Sequence, residues 1–87
     1  MRRVGWRDEF WDQYNASPPE TQKQALAFII LACRNPKDPS IVDLSVSKLD
    51  SRGRYESTLA SRYRLLWTIG SFENEEIIDL YGLLDPL

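Results

Sequence analysis

The chain has 87 residues and a mass of 10.1 kDa, which predict one domain over residues 1–87, and its 43% hydrophobic content excludes a disordered protein. The chain has no histidine, which excludes His-based metal sites and Ser-His-Asp hydrolysis, and its lone Cys33 excludes an internal disulfide. We therefore expect a cytoplasmic protein with no metal site and no cofactor. A net charge of −2 argues against a surface that binds nucleic acid everywhere, and no apolar run reaches the roughly 18 residues of a membrane span.

The first predicted element is a short amphipathic helix of about two turns. Asp8 and Glu9 fall in its first turn, where carboxylates interact favourably with the helix dipole. Its apolar stripe consists of aromatic residues at spacings of four, one and three: Trp6, Phe10, Trp11 and Tyr14.

A longer second helix is predicted from about Ser17 to about residue 34. Ser17 is placed as the N-cap, Pro18 as the first helical residue, and Glu20 where a capping box needs it. Asn35 precedes Pro36, which disfavours the helical region and ends the helix. The two helices are expected to pair as an αα-hairpin.

The second half of the chain changes to a period of two, which is typical of strands. Two strands flank a tight loop from Ala60 to Arg62, with Leu59 facing Tyr63. This register places Thr58 opposite Arg64 and Glu56 one diagonal step away from Arg64.

A final strand is predicted over Ile77 to Leu84, and a weaker one over Val46 to Leu49. The sequence therefore predicts an α+β domain in which an N-terminal helical hairpin packs on a three- to four-stranded antiparallel sheet.

Charge is distributed unevenly along the chain. Residues 48–64 contain five basic and two acidic residues, a local net charge of +3, whereas residues 65–87 contain five acidic and no basic residues. The basic residues of the first segment are Lys48, Arg52, Arg54, Arg62 and Arg64. This pattern indicates a basic patch; its simplest interpretation is a solvated surface with scattered ion pairs.

Short motifs follow one another in a distinctive order along the chain. They are Phe10-Trp11, Ser17-Pro18-Pro19-Glu20, Asn35-Pro36, Asp38-Pro39-Ser40, Lys48-Leu49 and Arg62-Tyr63-Arg64-Leu65-Leu66-Trp67. In order and spacing this series resembles the RelE/ParE superfamily of bacterial toxins, from about Phe10 to about Leu83. The resemblance implies the toxin of a type II toxin–antitoxin pair.

The RelE branch of this superfamily cleaves mRNA in the ribosomal A site without a metal, and the resemblance implies the same activity here. The RNA 2′-hydroxyl would attack the adjacent phosphodiester, with a base, an acid and cations supplied by the protein. Arg64 matches the conserved arginine of the family after the tight turn and would hold the phosphate. Four other basic residues would contact phosphates or ribosomal RNA: Lys48, Arg52, Arg54 and Arg62.

Two regions depart from the family pattern. Glu56 and Thr58 stand where RelE has lysines, and the final residues, Gly82 to Leu87, lack the basic residue or histidine that usually ends the last strand of active relatives. Glu56 as base and Arg64 as cation form the catalytic pair that remains. The alternative is that these two residues form a cross-strand ion pair on a solvent face without a catalytic role.

Three functions therefore stay open. The first is a ribosome-dependent mRNA endonuclease. The second is a catalytically weak or inactive member of the superfamily that acts by binding an antitoxin or by inhibiting DNA gyrase. The third is a protein-interaction domain unrelated to toxicity.

Either toxin function implies an antitoxin partner, and the endonuclease implies the ribosome and mRNA as well. Several apolar residues exceed what so small a core can hold, so we expect them at the antitoxin interface; they are Trp6, Trp11, Phe72, Leu84 and Leu87.

Overall fold

The computed structural model describes residues 1–38 and 54–86. Within these residues two helices and four strands follow one another along the chain. Their bounds are β1 Arg3–Trp6, α1 Asp8–Ala16, α2 Pro19–Arg34, β2 Arg54–Thr58, β3 Arg64–Phe72 and β4 Glu75–Leu84. Neither of these helices is long and apolar enough to cross a membrane. The predicted α+β class is confirmed, and the strand predicted over Val46 to Leu49 lies outside the described residues.

Ser17 caps the first helix rather than the second. Its hydroxyl donates to the Tyr14 carbonyl at 2.7 Å, and its backbone N–H donates to the same oxygen. Pro18 precedes a second proline, which disfavours the helical region for Pro18; its ψ of 152° is extended, and α2 begins at Pro19. The prediction of Ser17 as the N-cap of the second helix is therefore wrong.

The two ends of α2 differ in how well the sequence predicted them. No side-chain hydrogen bond caps its N-terminus, so the predicted capping box with Glu20 is also wrong. At the other end the helix stops at Arg34 and Asn35 is extended, as the Asn35-Pro36 pair predicted.

β2, β3 and β4 form the predicted antiparallel meander in a sheet of order β1-β4-β3-β2. The Leu59 N–H donates to the Tyr63 carbonyl at 2.8 Å and closes the tight turn. Thr58 pairs with Arg64, which leaves Glu56 one diagonal step from Arg64. The predicted register is confirmed.

The fourth strand is β1, which the sequence analysis did not predict. It pairs in parallel with β4, with Val4 opposite Ile78, so the sheet is mixed rather than wholly antiparallel. Trp6, which was predicted to lie in the first helix, is the last residue of this strand. Backbone bonds from Arg2 to the Cys33 carbonyl and from Arg7 to the Leu80 carbonyl hold the two ends of the strand.

The core lies between the helices and one face of the sheet, with Trp67 at its centre. Trp67 is 1% exposed, and its indole N–H donates to the Ser57 hydroxyl at 2.8 Å. Phe28 of α2 meets the Trp67 ring edge-on at 5.7 Å, and Tyr55 stacks on it at 4.6 Å. Burying a side chain as large as phenylalanine contributes about 1.5–3 kcal/mol, and the Trp67 ring is larger still. Tyr55, Tyr63 and Trp67 pack in or against the core.

α1 is fixed to β4 through a side chain. The Gln13 Oε1 accepts a hydrogen bond from the Leu83 N–H at 2.7 Å, beyond the end of β1. Gly82 permits this approach, because a Cβ at that position would lie 3.0 Å from the same oxygen.

Candidate functional site

Arg64 is positioned by the turn that joins β2 to β3. Arg62 has a positive φ of 73°, which lets the chain reverse within a few residues. The turn is tied to α2 by two hydrogen bonds: the Ser61 N–H donates to Gln24 Oε1 at 2.8 Å, and the Thr21 hydroxyl donates to the Ser61 hydroxyl at 3.0 Å. Arg64 is the first residue of β3 and follows this turn, so the hydrogen bonds between the turn and α2 fix the position of its backbone.

Arg64 and Glu56 form an ion pair on the outer face of the sheet. Arg64 Nη1 donates to Glu56 Oε1 at 3.0 Å, and the two side chains are 24% and 33% exposed. Within the described part of the chain, Arg64 Nε is buried and has no hydrogen-bond partner. Glu56 and Arg64 are therefore in direct contact, and this geometry is compatible both with a structural ion pair and with a catalytic pair.

An open cleft of about 320 Å³ lies beside Arg64, and we call it the basic cleft. It is lined by Thr58, Arg62, Arg64 and Pro86. Among residues 1–38 and 54–86, neither the Arg62 guanidinium nor the Thr58 hydroxyl has a side-chain partner. The cleft thus brings together two cations and a hydroxyl, which are groups that bind phosphate oxygens.

Among the other predicted basic residues, Arg54 does not line this cleft, because it begins β2 opposite Thr68, at the far end of the strand from Thr58. Lys48 and Arg52 lie outside the described residues. Leu84 pairs with Arg64 on its other side, where a second cation would have strengthened the site. Sequence reasoning did not identify Pro86, because β4 brings it to the cleft from the end of the chain.

A second surface feature is an apolar groove between β1, α1 and α2, which we call the aromatic groove. Trp6 and Trp11 stack with ring centroids 5.6 Å apart, and Trp11 and Tyr14 stack at 5.5 Å. The groove is about 380 Å³ and is also lined by Leu26 and Ile30 of α2. Trp6 and Trp11 are 56% and 46% exposed, so they are surface residues as expected.

The arrangement of helices and sheet has a counterpart among solved structures. It is similar to a chain in the crystal structure of the intact E. coli RelBE toxin–antitoxin complex, with a TM-score of 0.76, 11% sequence identity, and coverage of 100% of this chain and 99% of that chain. The fold is RelE-like. No protein-family model matches the sequence, and no curated protein is significantly similar to it.

Within this RelE-like fold the basic cleft lies at one corner of the sheet. Thr58 ends β2, Arg64 begins β3, and Pro86 follows the end of β4. The aromatic groove lies on the helical side, with Trp6 at the end of β1. The two candidate surfaces are therefore formed by different parts of the molecule.

Proposed function

We propose that this protein is the toxin of a type II toxin–antitoxin pair and that it inhibits translation in the cytoplasm by cleaving mRNA at the ribosome. The observation that carries the proposal is the Glu56–Arg64 pair, with a carboxylate and a guanidinium 3.0 Å apart beside the basic cleft. Cleavage by the RNA 2′-hydroxyl needs a proton acceptor and a cation that stabilises phosphate charge, and this pair supplies both. The RelE-like fold supports the assignment to the toxin class.

In the proposed reaction Glu56 accepts the proton of the 2′-hydroxyl, whose oxygen attacks the adjacent phosphorus. The bond between phosphorus and the 5′-oxygen of the next nucleotide breaks, and that oxygen takes a proton from water, which in turn recovers the proton held by Glu56. The products are a 2′,3′-cyclic phosphate and a 5′-hydroxyl end. Negative charge builds on the non-bridging phosphate oxygens, where Arg64 and Arg62 stabilise it.

The ion pair leaves Arg64 able to receive this phosphate. Glu56 bonds to Nη1 alone, whereas a guanidinium carries five N–H donors. The two side chains are 24% and 33% exposed, so a ligand can reach the pair from solvent. A phosphate that enters the basic cleft therefore either binds further N–H donors of Arg64 or competes with Glu56 for Nη1.

Cleavage of mRNA on purified ribosomes, with the message ends mapped, tests the proposal. Arg64→Ala is expected to lower the cleavage rate about 10²- to 10³-fold, and Glu56→Gln to lower it about 10²-fold or more, because each removes one of the two roles. Arg3→Ala is the matched control, since Arg3 pairs with Glu75 at 3.6 Å at the opposite end of the sheet. Full cleavage by the Arg64→Ala protein would exclude the proposal.

Binding without catalysis is the second candidate function. Glu56 and Leu84 flank Arg64 on its two neighbouring strands, so among the described lining residues only Arg62 adds to its positive charge. Growth arrest on expression with intact messages would favour this candidate, and inhibition of DNA supercoiling by purified gyrase would identify the target. No effect on growth, together with tight binding of the partner, would indicate an inactive toxin.

We further propose that the aromatic groove binds the antitoxin. Its stacked aromatic side chains are exposed, and tryptophan and tyrosine are enriched among the residues that dominate binding energy at protein interfaces. An apolar face of the partner would fill the groove between Trp11 and Leu26.

This interface is tested by measuring the affinity of this chain for the protein that is encoded beside it. Trp11→Ala is expected to weaken binding by about thirtyfold or more, because truncation of an anchoring tryptophan typically costs about 2 kcal/mol. Phe72→Ala is the control, since Phe72 is equally aromatic and 57% exposed but does not line the groove. Unchanged affinity of the Trp11→Ala protein would contradict the assignment.

A further inference from the structure

A small apolar pocket lies between α2 and the β2–β3 turn. It encloses about 240 Å³, and its walls are mainly apolar side chains and the turn itself. The lining residues are Gln24, Ala27, Phe28, Leu31, Thr58, Leu59 and Ala60. We call it the turn pocket.

The turn pocket adjoins the basic cleft. Thr58, the last residue of β2, lines both of them, so the pocket and the cleft lie on either side of one residue. An apolar pocket next to two cations matches the two parts of a nucleotide, a base and a phosphate. We propose that the turn pocket binds the base of a single-stranded RNA nucleotide whose phosphate lies in the basic cleft. This inference rests on the proposed function and assigns it a base-recognition site.

The dimensions and walls of the pocket suit one nucleobase. Its volume is below the roughly 300–1,000 Å³ of sites for drug-sized ligands, so it holds a single ring system. Phe28 and Leu31 from α2 face Leu59 and Ala60 from the turn. Aromatic and apolar side chains bind the faces of any base, and such contacts contribute about 1–3 kcal/mol per base.

Gln24 supplies the selectivity at the edge of the base. Its Oε1 already accepts the Ser61 N–H at 2.8 Å, so the oxygen is occupied. Among the residues that the structure describes, its Nε2 donates only to Glu20 at 3.4 Å, a long and exposed hydrogen bond that a ligand replaces easily. Gln24 therefore offers a donor, so the position it meets favours a carbonyl group, as in uracil or guanine, over the amino group that adenine or cytosine carries there.

The affinities of 5′-UMP, 5′-AMP and ribose 5-phosphate, measured by calorimetry, test the proposal without requiring catalysis. Ribose 5-phosphate carries the sugar and the phosphate but no base. We expect 5′-UMP to bind at least about tenfold more tightly than ribose 5-phosphate, and more tightly than 5′-AMP. Equal affinities of 5′-UMP and ribose 5-phosphate, or no binding of either, would overturn the proposal.

Two variants locate the effect in the turn pocket. Ala27 is exposed at the pocket, so Ala27→Trp fills the pocket without changing the core; it should reduce 5′-UMP affinity to that of ribose 5-phosphate. Ala16→Trp on α1 is the control and should change neither affinity. Gln24→Glu keeps the acceptor for Ser61 but removes the donor, so it should abolish the preference for 5′-UMP over 5′-AMP.

The outcomes separate this inference from the proposed catalysis. If messages are cut without any base preference and 5′-UMP binds no more tightly than ribose 5-phosphate, base binding in the turn pocket is excluded and the endonuclease is retained. Base-selective binding that Ala27→Trp removes, in a protein that cuts no message, would retain the pocket and exclude the endonuclease.

Discussion

Arg64 has neighbours of three kinds on the outer face of the sheet: the Glu56 carboxylate, the Thr58 hydroxyl across β2 and the Leu84 side chain across β4. The first two could be predicted from sequence, because one tight turn and the alternation of side chains fix the register of a single hairpin. The neighbour on β4 and the Pro86 wall of the cleft could not, because a bulge between Leu66 and Trp67 shifts the pairing with β4.

Cys33 gives a prediction at the same scale. Burial raises the pKa of the Cys33 thiol, although the positive charges of Arg2 and the N-terminal amine act in the opposite direction. The native chain therefore keeps this proton at pH values where the unfolded chain has lost it, and stability falls as pH rises above about 8.5. We expect the free energy of unfolding of the natural protein to fall relative to that of Cys33→Ala between about pH 8 and 10. Parallel pH profiles in urea denaturation would contradict this.

At the scale of elements, the β2–β3 turn and α2 act together. Thr21 is 1% exposed and Gln24 is half-buried, and both bond to Ser61 from one face of the helix. A shift of α2 along the sheet would therefore move the turn and, with it, the first residue of β3. Neither contact was predicted, because the sequence indicates which residues face the core but not which polar groups meet there.

A double-mutant cycle tests this connection. Thr21→Val and Ser61→Ala each remove one hydroxyl of the same hydrogen bond, and each is expected to lower the free energy of unfolding by about 1 kcal/mol. The double variant should lose less than the sum, with a coupling of about 0.5–1 kcal/mol. Additive losses in urea denaturation would show that the hydroxyls do not interact.

The strands differ in how far the sequence predicts them. β2, β3 and β4 follow one another along the chain, so alternation and turn length were enough to predict their pairing. β1 is four residues long and pairs in parallel with a strand at the other end of the chain, which no local pattern reveals. Ser17 shows the same limit at a helix end, where two consecutive prolines moved the start of α2 by one residue.

At the scale of the whole molecule, Arg2 precedes β1 and connects this strand to β4 and to the C-terminus of α2. Its guanidinium pairs with Glu76 of β4 and donates to the Arg34 carbonyl at 3.1 Å, at the C-terminus of α2. Its backbone N–H donates to the Cys33 carbonyl. A cation at a helix C-terminus also interacts favourably with the helix dipole.

We expect Arg2→Ala to lower the free energy of unfolding by about 1 kcal/mol and the melting temperature by about 4–8 °C. The adjacent Arg3→Ala is the control, because the Arg3 side chain is 71% exposed and lies 3.6 Å from Glu75; it should change stability by less than about 0.5 kcal/mol. Equal effects of the two substitutions in thermal denaturation would show that Arg2 is no more than a surface charge.

The parallel pairing of β1 with β4 has a consequence for synthesis. Translation proceeds from the N-terminus, so β1 emerges first and its strand partner last. Until residues 77–80 leave the ribosome, β1 has no strand to pair with, and the nascent chain cannot complete its sheet. The sheet is therefore completed only after β4 has been synthesised, however early the two helices form.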